Sequence, residues 1–214
     1  RPLPGKESLR VAVMVPGSRP LEALAGVLAK AAIADPLPVK KTAEFEEMLQ
    51  KPTDAGEYEG LRRVADLMPG IREMPLVVLV DQFEEVYSLC KDLDQRQAFI
   101  GTLLHAASDP TGHVSVVITL RSDFLGETQR HQGLNQIVGS DQSAIVPAMK
   151  QDELHLAIAE PAKQAGHPLD EATIALLVKD TEGREGALPL LQFALTRIWE
   201  GLGDGKTPAA TYRE

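Results

Sequence analysis

Three short apolar runs separated by long amphipathic stretches restrict this chain more than anything else in it. They are "LRVAVMVP" (9–16), "PLVVLV" (75–80) and "HVSVVITL" (113–120). Each is about the length of a strand, and "PLVVLV" is apolar at every position, as a strand buried on both faces would be. The intervening stretches carry helical periodicity. In "SRPLEALAGVLAKAAIA", Leu21, Leu24, Ala25 and Leu28 fall on one face, Ser18 can cap and Pro20 suits a first turn. In "DQRQAFIGTLLHAAS", Ala98, Phe99, Leu103 and Leu104 recur in the same way. Strands alternating with helices predict an α/β domain: a parallel sheet with helices on both faces.

Between the first two strands, "TAEFEEMLQ" and "YEGLRRVADLM" read as short helices broken by "KPTDAGE". "QSAIVPAM" reads as a weaker fourth strand, and "QDELHLAIAEPAKQAG", "DEATIALLVKD" and "GALPLLQFALTRIWE" as three closing helices. The expected division is therefore 1–149, an α/β domain, and 150–214, a helical lid with the start of a further segment. No repeat of solenoid period and no low-complexity tract interrupts this order.

Composition narrows the class. With 43% hydrophobic and 25% charged residues the chain is neither disordered nor membrane-spanning, since no apolar run approaches the ~20 residues a bilayer requires. "RPLPGKESLR" lacks the apolar centre of a signal peptide, so a cytoplasmic location is the expectation. Twenty-two basic against 31 acidic residues give a net charge of −9, which argues against a nucleic-acid face but not against a small phosphate ligand. The single cysteine, Cys90, follows "VYSL" and reads as a packed small hydrophobe. A start without Met and an end at "TPAATYRE" suggest part of a longer polypeptide.

The chemistry concentrates where strands end. "PLVVLVDQFEEVY" runs from an apolar strand into Asp81, Glu84 and Glu85, and ligands of open parallel sheets bind outside the carboxyl ends of the strands. An acid there can orient Mg²⁺ on a nucleotide phosphate, because Mg²⁺ keeps several waters and takes one or two carboxylates. Either Glu84 or Glu85 could polarise a water for attack on a terminal phosphate. The plainer reading is that Asp81 and Glu84 cap the next helix and favour its positive end. "VVITLRSDF" ends likewise in Thr119, Arg121, Ser122 and Asp123. Arg121 would share an edge with Asp81 if the two strands are neighbours, either contacting a terminal phosphate or pairing with Glu84 or Glu85.

A phosphate-binding loop of the form GxxxxGK[ST] is not found in the 214 residues. "PGKES" leads into a strand, and "GLGDGKT" follows a helix with the wrong spacing. The five histidines, His105, His113, His131, His155 and His167, show no metal-ligand spacing, and no GxSxG elbow is present.

Taken together, "LVVLVDQFEEVYSLC", "VVITLRSDFLG" and "GALPLLQFALTRIWE" resemble the STAND class of P-loop signalling ATPases, in particular a bacterial branch often fused to Trp-Asp-type β-propellers or effector domains. The resemblance covers nearly the whole chain and implies a sheet of P-loop NTPase (ASCE) type. It makes "DQFEE" an extended Walker B segment, with Asp81 on Mg²⁺ and Glu84 and Glu85 as the acidic pair. "TLRSDF" becomes the first sensor strand with Arg121 as sensor and Thr119 beside it. "GALPLL" becomes the lid motif whose proline, here Pro189, approaches the nucleotide base, although Ala187 stands where related motifs often have a second Gly.

The implied ligands are Mg²⁺ and ATP or ADP, held between sheet and lid. The implied behaviour is a switch with at most slow hydrolysis, controlling an effector, other domains of the same polypeptide and assembly of a homo-oligomer. The Walker A loop and its strand would lie upstream of Arg1, between the sensor strand and the last strand. "QSAIVPAM" would then lack a neighbour, so that it pairs elsewhere, swaps between chains, or depends on residues outside the sequence. Two rivals remain: an interaction scaffold that keeps the fold and binds no nucleotide, and a metabolic P-loop kinase, for which no substrate-binding segment is identifiable.

Overall fold

The computed structural model describes residues 9–32, 38–110, 112–184 and 186–203. Two compact units divide the chain, Arg1–Ala144 and Ile145–Glu214. In the first, β1 (Arg10–Met14), β2 (Leu76–Val80) and β3 (Val114–Ile118) form a parallel sheet in that spatial order. The helices are α1 (Pro20–Ala32), α2 (Val39–Gln50), α3 (Gly60–Asp66), the one-turn α4 (Glu85–Ser88) and α5 (Leu93–Ser108). A 3-10 turn (Ser122–Phe124), α6 (Leu125–Thr128) and α7 (Gln132–Val138) follow β3.

Register decides what each strand residue meets. Ala12, Val78 and Val116 stand side by side, as do Met14, Val80 and Ile118, and these rows face the core. Into the same core come Leu21, Leu24, Ala25 and Leu28 of α1, Phe45 and Leu49 of α2, Leu61 and Val64 of α3, and Ala98, Phe99 and Leu103 of α5. Each such Leu or Phe removed from water contributes about 1.5–3 kcal/mol. The opposite rows, Val11–Val77–Ser115 and Val13–Leu79–Val117, belong to no core cluster. Val11 is 56% exposed, Val13 55% and Val117 47%. The expectation of helices on both faces is therefore corrected: among the described residues the helical layer covers one face.

Local chemistry explains the helix ends. Pro20 opens α1, where its missing N–H costs no hydrogen bond. Asp92 caps α5 by accepting from the Asp94 and Gln95 N–H groups. The Leu61 N–H at the start of α3 is satisfied by the fully buried Thr102 hydroxyl of α5 at 2.8 Å. Gly60 permits the close crossing of α2 and α3, since a Cβ there would lie 2.5 Å from the Met48 carbonyl oxygen. Cys90 is fully buried, in keeping with its reading as a packing residue.

The expected fourth strand does not form. Residues 143–150 have no regular secondary structure, and Ile145 and Val146 are 86% and 90% exposed. An apolar segment cannot hold strand geometry without a partner for its backbone N–H and C=O groups.

In the second unit α8 (Gln151–Gln164), α9 (Glu171–Thr181) and α10 (Ala187–Gly203) pack around Leu154, Ile158, Ile174, Leu177, Leu191 and Ile198. Asp170 caps α9 through the Thr173 N–H and hydroxyl, bonds that hold its carboxyl below the ordinary value. "PGKES" and the "GKT" of "GLGDGKT" lie outside the described residues. Among the described residues no helix is long and apolar enough to cross a membrane.

Candidate functional site

Because β2 and β3 are parallel neighbours, the residues that follow them emerge at one edge. Asp81 follows β2 directly, and its N–H donates to the Met14 carbonyl of β1 at 2.8 Å. The Thr119 N–H donates to the Val80 carbonyl at 3.0 Å, so the ladder continues past both strand ends. Thr119 thereby stands against Asp81, its hydroxyl donating to Asp81 Oδ1 at 2.5 Å. Both offer hard oxygen atoms to solvent.

Gln82 makes the turn. Its φ is +55°, the left-handed region that non-glycine residues seldom occupy. Its N–H lies 3.1 Å from Asp81 Oδ1 and 3.0 Å from Thr119 Oγ1, and the next N–H, of Phe83, donates to the Thr119 carbonyl at 2.9 Å. Phe83 is driven fully into the core, stacked on Phe99 with ring centroids 6.2 Å apart. The energy of that burial and those bonds offsets a backbone strain of roughly 1–3 kcal/mol.

After this turn the two glutamates part. Glu84 Oε2 lies 3.4 Å from the Arg121 N–H, and Glu84 lines an open cavity of about 480 Å³ with Asp81, Gln82, Thr119, Leu120 and Arg121. Glu85 Oε2 instead accepts from the Gly17 N–H at 3.0 Å. The Arg121 guanidinium pairs with neither glutamate: it forms two bonds to Asp123, at 3.1 and 2.9 Å, on the exposed surface. The pairing with Glu84 or Glu85, one of the two readings open for Arg121, is therefore not formed. Nor does Asp81 cap α4, whose N-cap is Glu84 without a side-chain cap bond.

Behind α4, the Tyr87 ring lies 6.2 Å from His131 and beneath the Arg96 guanidinium. Burial, reinforced by Glu127, pushes the Tyr87 phenol up to about 12. Burial, with Arg96 and Arg130 adding to it, pulls His131 below 6.5.

Asp81, Glu84, Thr119 and Arg121 are therefore brought to one edge. Pro189 belongs to the other unit, exposed in the first turn of α10. Sequence reasoning missed Gln82, since nothing in "DQF" signals a left-handed residue. It also missed Gly17, although a Pro-Gly pair after a strand marks a turn that could carry a free N–H. Among the described residues no group of three or more His, Cys, Asp or Glu could hold a metal ion by itself. A second cavity, about 640 Å³, lies in the other unit beside His155, whose Nε2 is 2.9 Å from Glu171.

The three-stranded parallel sheet with its helices makes the first unit a mixed α/β domain, with acidic, hydroxyl and guanidinium groups gathered outside the carboxyl ends of β2 and β3. More particularly, the model of the family described as novel STAND NTPase 1 matches residues 1–214, and the chain belongs to that family. No curated protein and no solved structure matches it.

Proposed function

We propose that this chain is most of the nucleotide-binding switch domain of a STAND signalling ATPase. One observation carries the reading: Asp81, Thr119, Glu84 and Arg121 converge on a single solvent-open cavity at the ends of β2 and β3. The donor set suits Mg²⁺, which takes a carboxylate or two and fills its octahedron with water and phosphate oxygens. Asp81 and Thr119 would hold it, and when bound it would neutralise charge on the phosphates. Arg121 would exchange its exposed partner Asp123 for a terminal phosphate, a bidentate pairing of the same kind. Glu84 would orient a water. Pro189 would approach the base.

The cradle for the phosphates is not among these residues. The edge of β3, which has no strand beside it among the described residues, and the half-exposed Val11, Val13 and Val117 support its supply by a strand and helix upstream of Arg1. ATP would favour one assembly state of a cytoplasmic signalling protein and ADP the other, as a ligand with differential affinity requires.

The test is calorimetry of Mg-ATP and Mg-ADP with this chain and with one extended upstream, each also as Asp81→Asn. Binding by the extended chain, weakened about tenfold or more by the substitution, is the expected result. If neither chain binds, the domain is an interaction scaffold, and Asp81 and Thr119 serve only to fix the turn.

A further inference from the structure

We infer that the two adjacent glutamates divide the work: Glu85 is a positioning residue that ties α4 to the β1–α1 turn, and Glu84 alone is the carboxylate that would accept a proton in the cavity. The assignment rests on the nucleotide-switch reading above. Helix α4 is a single turn with no side-chain cap at its start, too short to hold its own direction in water. Two constraints orient it. On one side Phe83 and Val86 are fully buried. On the other, the Glu85 carboxylate holds the Gly17 N–H at 3.0 Å across 68 positions of sequence.

Gly17 has φ +62°, a left-handed turn between β1 and α1, and a Cβ added there would have no atom within 4 Å beyond its chain neighbours. The glycine therefore serves backbone conformation, aiming its N–H at Glu85, and is not a relief of crowding. With α4 held in this way, Glu84, one residue earlier, turns its carboxylate toward the Arg121 N–H and into the cavity lining, from which Glu85 is absent. A general base must reach the proton it takes, directly or through one water, and of the two carboxylates Glu84 is the one that lines the cavity.

Substitution separates the roles, because glutamine can still accept an N–H bond but cannot take a proton at neutral pH. Phosphate release is followed at steady state over a range of Mg-ATP concentrations in the polypeptide carrying this chain together with its upstream segment. Amide exchange at Gly17 is read in the same samples. Glu84→Gln should lower the rate about 100-fold or more with KM kept. Glu85→Gln should stay within about threefold of the parent, and Glu85→Ala should lower kcat about tenfold with KM unchanged. Gly17 exchange should accelerate in Glu85→Ala and stay protected in Glu85→Gln.

A loss in Glu85→Gln as deep as that in Glu84→Gln overturns the division. So does Gly17 exchange unchanged in Glu85→Ala. If the parent polypeptide binds nucleotide without turnover, Glu84 is no base and that assignment falls; if it binds none, the switch reading itself has failed. The exchange data report on the Glu85–Gly17 tie in either case.

Discussion

The two faces of the sheet are built from the same residue types, yet only one is a core. On the covered face Leu76, Val78 and Val80 are fully buried beneath α1 and α5. On the other, Val11, Val13 and Val117 remain about half exposed within one strand spacing of them. Apolar sequence marks a surface that gains from burial, but only packing partners deliver that gain. The same contrast separates β2, flanked on both sides, from β3, whose outer edge has no strand beside it among the described residues.

The comparison can be broken most forcefully by a charge on each face. Val78→Asp should abolish folding or cost about 4 kcal/mol or more in urea denaturation, because a lone buried carboxylate has no partner there. Val13→Asp should cost under about 1 kcal/mol in this chain. Equal losses would show that the valine rows are covered in solution. In the upstream-extended chain the cost of Val13→Asp should rise toward that of Val78→Asp if the proposed strand and helix pack there.

A smaller effect sharpens the picture of how the covered side is stitched. Thr102→Val keeps shape but strands the buried Leu61 N–H, so unfolding should become easier by about 1–3 kcal/mol. A midpoint unmoved by this change would mean that water reaches the α3 terminus.

The smallest effect concerns pH. His131 binds its proton less readily folded than unfolded, so its contribution is complete above 6.5 and is lost as pH falls through the lowered folded value. In the window just below 6.5, His131→Gln should flatten the fall in unfolding free energy with decreasing pH. An unchanged slope would place His131 in contact with solvent.

Much of this was legible in order along the chain. "LRVAVMVP", "PLVVLV" and "HVSVVITL" announced the three strands, and the i, i+3, i+4 spacing of Leu21, Leu24, Ala25 and Leu28 gave the buried stripe of α1. That Arg121 and Asp81 share one edge was legible only conditionally, since it needed β2 and β3 to be neighbours, and the bond from Thr119 to Asp81 was not read at all. "QSAIVPAM" misled because strand propensity expresses a fit to a sheet and requires a partner. The Arg121–Asp123 pair and the Glu85–Gly17 bond were not legible at all. Several acids stood within reach of Arg121, and Gly17 lies 68 residues from Glu85 in sequence.

By itself, then, the sequence determined the alternation of strands and helices, the apolar faces available for burial, and the arrival of carboxylates immediately after a strand. These follow from side-chain period and local turn chemistry. Only the tertiary structure decided which sheet face would be covered, that Gln82 would take a left-handed turn, and which of two consecutive glutamates would face the cavity. Consecutive residues at the start of a helix point about 100° apart, and long-range contacts from Gly17, Arg121 and the core around Phe83 select among those directions.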